Sequence, residues 1–209
     1  MKRLIRALML VMAATLASGC ATKNIDKQYQ LSASRNEGLI IGSVTYAGPL
    51  AEYRAYYHRT LAEEAAFFSA GVAMVPPFPS NDFHDGSAGE LFSASLPAGD
   101  YVFDGWQVAS GPVRVSGPMD TRVRFTVEPG KATYVGNFFY MPTMSIGLIS
   151  GVKLAYGEHF ERDMAVFRTL YPQLADVEVQ RLGADSASGP DTGFNRFDQA
   201  TSPAPALEQ

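Results

Sequence analysis

The sequence predicts a mainly β protein, built as a single antiparallel β-sandwich with one C-terminal helix. Two segments, 121–128 and 131–140, alternate apolar and polar residues, which is the pattern of strands with one buried face. Glycine and proline interrupt the other β-rich segments at short intervals, as in sandwiches and barrels. The segment that follows Gly157 instead places its apolar residues at helical spacing.

The clearest predicted hairpin joins the two alternating segments. Val123, Phe125 and Val127 share one face of the first segment. Pro129-Gly130 then supplies the fixed φ and the positive φ that a type II turn requires. The second segment is expected to bury one face, formed by Ala132, Tyr134, Gly136, Phe138 and Tyr140.

Further strands are predicted before and after that hairpin. Residues 91–96 and 101–108 make a second pair around a turn at residues 97–100. Asp104, next to Gly105, is interpreted as a β-bulge. The remaining predicted strands lie at residues 39–46 and 151–156, with shorter ones at residues 113–115 and 177–179.

Residues 50–74 fit two structures. Tyr53, Tyr57 and Leu61 can begin an apolar helical face. The aromatic and β-branched residues from Tyr53 to Thr60 equally favour a strand. Because the neighbouring segments are strands, we predict two β segments here in preference to a helix.

The predicted helix spans residues 158–171. Phe160, Met164 and Phe167 share one face, and acidic residues lie near the start, where the helix dipole favours them. Pro172 sets the end of the helix. The resulting division is a signal peptide at 1–19, a polar tether at 20–37, the sandwich with its helix at 38–182, and a disordered tail at 183–209.

The first twenty residues predict export and membrane attachment. Basic residues precede a short apolar stretch, which ends in Ala17-Ser18-Gly19-Cys20, and this is the layout of a secretory signal peptide. These residues resemble the lipobox of bacterial lipoproteins, with Cys20 as the lipid acceptor. The resemblance implies diacylglycerol on the Cys20 sulfur and an acylated amino terminus, which would hold the protein stably on a membrane. Because Ala21 follows the cysteine, we expect the outer membrane, with the domain facing the periplasm.

Cysteine usage and charge restrict the remaining possibilities. Cys20 is the only cysteine, so the mature chain can form no intramolecular disulfide. Removing residues 1–19 deletes three cations and no acid, which moves the formal charge from −4 to −7. An acidic protein does not attract phosphate backbones, so we expect no nucleic-acid partner.

Two phrases resemble a known kind of β-sandwich. Residues 95–103 (Ser-Leu-Pro-Ala-Gly-Asp-Tyr-Val-Phe) and residues 127–137 look like parts of carboxypeptidase regulatory-like or transthyretin-like modules. They are most similar to modules of uncharacterised proteobacterial lipoproteins. The resemblance implies a transthyretin-like or immunoglobulin-like sandwich in the cell envelope, and it implies no catalytic residues.

The sequence gives little evidence for a metal site or a catalytic site. Asp82, His84 and Asp85 place two carboxylates and an imidazole in one loop, so they are candidate ligands for Zn²⁺ or Ca²⁺, although standard loop residues explain them as well. The Gly-x-Ser-x-Gly elbow of serine hydrolases, phosphate loops and dinucleotide fingerprints are missing from the sequence. We therefore expect no enzyme and no cofactor, and keep a metal-dependent hydrolase as the least favoured alternative.

Aromatic residues give the remaining indication of a partner. Phe138-Phe139-Tyr140 puts large rings on both faces of one strand, so either the predicted helix or a partner covers the second face. Phe78 and Phe83, in a proline-rich loop, are candidate exposed anchors together with Phe139. The sequence therefore favours a lipid-anchored binding or scaffolding module with an unidentified envelope protein as partner. The alternative is an accessory lipoprotein that assembles a secretion or envelope complex.

Overall fold

Eleven strands and one α-helix form the part of the chain that the computed structural model describes, which is residues 20–49, 51–62, 64–72, 81–183 and 187–188. The strands are β1 (Cys20–Ala21), β2 (Glu37–Tyr46), β3 (Glu52–Arg59), β4 (Ala65–Gly71), β5 (Ala88–Pro97), β6 (Gly99–Ser110), β7 (Val113–Val127), β8 (Ala132–Ser145), β9 (Leu148–Gly157), β10 (Val179–Arg181) and β11 (Ala187–Ser188). The helix α1 is Phe160–Leu170, and short 3₁₀ turns lie at Ala33–Arg35 and Pro172–Leu174. The predicted signal peptide and most of the predicted tail lie outside the described residues.

The strands form two facing sheets, so the predicted β-sandwich is confirmed. The first sheet has the order β1-β4-β3-β6-β7-β11, and the second has the order β10-β8-β2-β5, with β9 also paired to β8. Most pairs are antiparallel, but β2 and β8 run parallel in the middle of the second sheet. Residues 50–74 contain the two predicted β segments, since β3 and β4 pair as an antiparallel hairpin.

Both hairpins predicted around Pro-x-Gly or Pro-Gly turns were wrong. The Pro129-Gly130 turn exists, with the Lys131 amide donating to the Glu128 carbonyl, but it connects β7 in the first sheet to β8 in the second. Ala98 likewise connects β5 in the second sheet to β6 in the first. Alternation reports which face of a strand is buried, but it does not report which strand is its neighbour. The antiparallel hairpins are β3–β4, β6–β7 and β8–β9.

The strand predicted at residues 113–115 is the start of a much longer one. β7 runs without interruption for 15 residues through Gly117-Pro118. Pairing with β6 shifts register between Phe103 and Gly105, so the bulge predicted at Asp104 is confirmed. Gly117 and Pro118 suggested that the strand would end there. The strand instead continues, and the irregularity is confined to the bulge.

Aromatic side chains dominate the core between the two sheets. Phe68 of the first sheet stacks on Phe92 of the second, with ring centroids 4.1 Å apart. Phe103 and Phe138 also meet across the sheets, with ring centroids 4.6 Å apart and the rings tilted by 47°. Such pairs add about 0.5–1.5 kcal/mol each to the energy of area burial. This core holds the two sheets face to face without any disulfide.

The predicted buried face of β8 is interrupted at Gly136. Phe138 and Tyr140 face the core between the sheets, whereas Ala132 and Tyr134 belong to a second core on the opposite face. Gly136 has φ +95°, and the β2–β8 register shifts at this point, which defines a bulge. One extra residue in a strand exchanges its two faces, so a strict alternation from residue 132 to residue 140 was wrong.

The helix covers the outer face of the second sheet, as predicted. Met164 and Phe167 of α1 pack against Leu39, Ile41 and Tyr134. The helix agrees with the predicted span within two residues at the start and one at the end. The strand predicted at residues 177–179 is displaced slightly and becomes β10, which pairs parallel with the start of β8.

The described C-terminal residues pair with both sheets. β10 lies in the second sheet, and β11 pairs with Arg122 and Val123 of β7 in the first. Ala187 and Ser188, which form β11, fall within the predicted tail. β11 therefore pairs with backbone groups of β7 that would otherwise be unpaired at the edge of the first sheet.

Candidate functional site: the Cys20 edge and the hairpin tip

Cys20, the predicted lipid acceptor, begins strand β1. It pairs parallel with Ala66 of β4, and Ala21 pairs with Phe67. The next residue continues the contact, because the Thr22 amide donates to the Phe67 carbonyl at 2.9 Å. Thr22 also shares a hydrogen bond of 2.7 Å with the Tyr57 hydroxyl. The backbone at Cys20 is therefore an integral part of the first sheet.

Residues 22–36, which we term the N-terminal strap, lie on the sandwich where a polar tether was expected. The strap crosses to the edge strand β5, where the Ile25 amide donates to the Ser93 carbonyl at 2.8 Å. The Asn24 side chain accepts from the Ser93 amide at 2.9 Å and donates to the Leu91 carbonyl at 3.4 Å. Ile25, Tyr29 and Leu31 also pack against the second core. The tether prediction failed because isolated apolar residues in a polar segment show no periodicity.

Cys20 lies at one end of the first sheet, which we term the anchor end. Because Cys20 pairs with Ala66, it lies beside the start of β4 and the turn between β3 and β4. This turn carries Leu61, whose side chain is fully exposed and whose φ is +74°. A non-glycine residue in the left-handed region is uncommon, and the described residues give the Leu61 side chain no burial there.

A second exposed apolar site lies at the turn between β8 and β9, which we term the tip. Its residues are Met144, Ile146 and Leu148, of which Ile146 is 99% exposed. Ile146 and Gly147 have φ of +52° and +74°, so two consecutive residues have the left-handed φ of a type I′ turn. A β-branched residue in this conformation is a steric outlier.

The tip and the anchor end lie at opposite ends of the sandwich. β8 begins directly after the turn that follows Val127, and Val127 pairs with Gly99 near the anchor end. From there β8 runs for 14 residues to the tip, a length of roughly 40 Å at the usual rise per residue. An apolar hairpin turn of this kind is a candidate contact for another protein.

Sequence reasoning placed the candidate partner surface elsewhere. Phe83 was predicted to be an exposed anchor, and this was wrong, because only 2% of it is exposed and the Arg162 guanidinium lies 4.2 Å from its ring centroid. Phe78 lies outside the described residues. Phe139 is half-buried on β8, facing away from the core that contains Phe138 and Tyr140. The sequence does show apolar residues on either side of Ser145 and Gly147. These residues are also typical of a β-strand, so they did not identify an exposed turn.

The candidate metal ligands have structural roles in their loop. Asp82 accepts a hydrogen bond from the Leu91 amide at 2.8 Å, and Asp85 accepts one from the Ser87 amide at 2.9 Å. His84 is exposed. Within the described residues, no group of three or more histidine, cysteine, aspartate or glutamate side chains could hold a metal ion. The carboxylates of Asp82 and Asp85 thus shape the approach to β5.

A buried polar cluster joins the helix to the second sheet. The Asp163 carboxylate, which is fully buried, accepts hydrogen bonds from Ser43 at 2.6 Å and Tyr134 at 2.7 Å, and it pairs with Arg162 at 2.7 Å. Asn137 extends the cluster by donating to Ser43 at 2.7 Å. Burial, followed by the neighbouring Asp163, raises the pKa of Tyr134 well above its ordinary value. Each of these groups has a partner, so the cluster fixes the helix position and offers no open reactive group.

His159 borders this cluster. Burial and then the Arg162 guanidinium lower the pKa of His159, against the opposing charges of Asp163 and Asp85. The Tyr134 hydroxyl accepts a hydrogen bond from the His159 amide at 3.1 Å. His159 therefore packs at the start of the helix.

A groove of about 470 Å³ lies between β7 and residues 180–183. Its acidic side chains are engaged, since Asp100 accepts from Thr126 at 2.7 Å and Glu128 pairs with Lys131 at 2.5 Å. Arg181, also in its lining, pairs with Glu158 and Glu161. With these charges already paired, the groove indicates no particular class of ligand.

Comparison with known proteins gives no further identification. No protein-family model matches the chain, and no curated protein shows significant similarity to it. Among the described residues, no helix has both the length and the apolarity needed to span a bilayer. Inferences about function therefore depend on the Cys20 edge and the tip.

Proposed function

We propose that this chain is a lipid-anchored binding module of the bacterial cell envelope. In this proposal Cys20 carries the lipid, the outer membrane holds the protein, and the sandwich faces the periplasm. The lipobox-like residues before Cys20 support the anchor. The β-sandwich fold agrees with the proposed relationship to transthyretin-like or carboxypeptidase regulatory-like modules.

The exposed apolar tip is the observation that carries the binding role. Met144, Ile146 and Leu148 are all exposed at this turn, and Ile146 is held in a conformation that asparagine or glycine would adopt more easily. Water contact and backbone strain both disfavour isoleucine at this position. A partner that buries the side chain would offset both costs, as apolar anchors do in protein interfaces.

Two measurements test the proposal. Mass spectrometry of the N-terminal peptide should find acyl groups on Cys20, and Cys20→Ser should move the protein from sedimented envelope to the supernatant. A photo-crosslinking amino acid at position 146 should then capture one envelope protein in stoichiometric amounts. The same amino acid at Glu161, an exposed position on α1, is the matched control.

Each result has a defined meaning. A bare N-terminal peptide would refute the anchor, and equal crosslinking from positions 146 and 161 would refute the tip as a binding surface. Capture of a component of a secretion complex would identify the chain as an assembly accessory. Capture of another envelope protein would support the more general binding role.

A further inference from the structure

We infer that the anchor end rests directly on the phospholipid bilayer, with Leu61 inserted among the lipids beside the lipidated Cys20. This inference rests on the proposed function, because it needs the lipid on Cys20. It adds an orientation of the domain and a second membrane contact.

No spacer separates the lipidated residue from the folded domain. Cys20 itself pairs with Ala66, and the Thr22 amide holds the next residue but one to Phe67. Acyl chains on Cys20 must lie in the hydrocarbon layer, as in any lipid-anchored protein. The edge of the first sheet at Cys20 must then lie at the headgroups, within a side-chain length of the lipid.

The lipidated residue and Leu61 lie at the same end of the sheet. Cys20 opens β1 and pairs with Ala66, the second residue of β4, so it lies next to the turn between β3 and β4. Leu61 precedes Ala66 by five residues, which limits their separation to roughly 17 Å along an extended chain. Leu61 and the lipidated residue therefore approach the bilayer at the same end.

The turn presents Leu61 rigidly. On one side the Thr60 amide donates to the Asp100 carbonyl at 2.8 Å, and on the other the Ala62 amide donates to the Arg59 carbonyl at 2.9 Å. These bonds fix the turn with φ of +74° at Leu61, and leave its side chain entirely exposed. Insertion into lipid removes this apolar surface from water.

The occupant of this surface is the bilayer, because the lipid anchor already holds the turn at the membrane. The turn carries one cation, Arg59, and two acids, Glu63 and Glu64, so its sequence gives no net attraction for anionic headgroups. Apolar insertion into zwitterionic phospholipid is the contact that these residues favour.

A depth measurement tests the inference with a control of the same kind. In the acylated protein the Cys20 sulfur is a thioether, so Leu61→Cys and Ile146→Cys each provide a single free thiol for an environment-sensitive dye. Ile146 is the control because it matches Leu61 in exposure and in left-handed φ, but lies at the opposite end. Both proteins are bound to phosphatidylcholine vesicles containing spin-labelled acyl chains.

We expect a blue shift and strong quenching of the dye at position 61, and neither effect at position 146. A dye at position 61 that stays in water, on a protein that is acylated and floats with the vesicles, would overturn the inference and leave the proposed function intact. A protein without acyl groups would overturn both.

A second measurement needs no change in the turn. Hydrogen–deuterium exchange of the wild-type protein on vesicles is compared with that of Cys20→Ser in solution. Slower exchange of peptides covering residues 59–66, without a change at residues 144–148, supports the seat on the bilayer. Unchanged exchange at residues 59–66 in acylated, vesicle-bound protein contradicts it.

Discussion

The Asp163 carboxylate accepts a hydrogen bond from the Tyr134 hydroxyl at 2.7 Å, inside the contact between helix α1 and the second sheet. Asp163 is fully buried, and its charge is balanced by Arg162, whose side chain is largely buried. Ser43, on a third element, donates to the same carboxylate. This one side chain therefore connects β2, β8 and α1, and it makes the helix position specific in a contact that is otherwise apolar.

Replacing Asp163 with asparagine should lower the free energy of unfolding by about 3 kcal/mol, because the buried Arg162 loses its counter-charge. Urea denaturation of the Cys20→Ser protein measures the change. Glu161→Gln is the matched control, since it removes an exposed carboxylate from the same helix turn and should cost less than about 1 kcal/mol. Equal losses for the two variants would show that the buried cluster contributes nothing particular.

The lowered pKa of His159 predicts a pH-dependent stability. The unfolded chain binds a proton at His159 more readily than the folded chain, so unfolding takes up protons in the interval below the ordinary value of 6.5. The stabilising effect is complete above that value and is lost as pH falls toward the folded pKa. We expect the urea concentration at the unfolding midpoint to decrease as the pH is lowered from about 8 to about 5. The decrease should be smaller in His159→Gln.

The exposed His84, which lies in a loop, provides the control for that measurement. His84→Gln should retain the decrease of the wild-type protein. If His159→Gln and wild type lose stability in parallel, the position of His159 is not responsible for the effect.

Gly136→Ala should lower the free energy of unfolding by at least about 1–2 kcal/mol, the usual cost of a left-handed φ for an L-residue. Gly136 has φ +95°, and an added Cβ would lie 2.5 Å from Cε2 of Tyr156. Gly157→Ala, on the neighbouring strand, is the control because no atom lies within 4 Å of an added Cβ there. Thermal and urea denaturation should separate the two variants, and similar stabilities would argue against the bulge.

Asn24→Ala should destabilise the sandwich by about 1–2 kcal/mol, because the amide and carbonyl of β5 that Asn24 contacts lose their partner. The uncovered edge should also promote association between molecules. Light scattering during storage tests the second effect and urea denaturation the first. Lys23→Ala, at the adjacent exposed position, should change neither property.

Ile146→Asn should raise stability by up to about 1 kcal/mol, because asparagine tolerates φ of +52° better than isoleucine does. The same substitution should abolish capture of a partner at the tip. Leu148→Asn should reduce capture without a stability gain, since its φ is not left-handed. If the Ile146→Asn protein is more stable and still binds its partner normally, the tip is excluded as the binding surface.

The fold class was predictable because alternation, turn residues and one helical segment are local signals. The two strands at residues 52–59 and 65–71 were recognised for the same reason, as was the bulge at Asp104. Strand partners were not predictable, because β2 joins β8 across the middle of the chain and no local pattern records this pairing. The bulge at Gly136 was hidden as well, since glycine fits either face of a regular strand.

The candidate site was only partly predictable. Cys20 stood out from its position after small residues, but its pairing with Ala66 depends on a strand far along the chain. Phe83 was misassigned because proline-rich loops are commonly exposed, whereas here Arg162 from the helix covers its ring. The tip was missed because exposure of Ile146 follows from the hairpin extending past the rest of the sheet.

The parallel contact between Leu39 and Ala132 has a consequence for the order in which the protein folds. Roughly ninety residues separate these partners, and closing so long a loop precedes any gain from the pairing, so native collapse should be slow. β2, which lies between β5 and β8 in the second sheet, cannot pair on both sides until β8 is present. A chain exported through a narrow channel would therefore stay unfolded for most of its passage and reach its final structure on the far side.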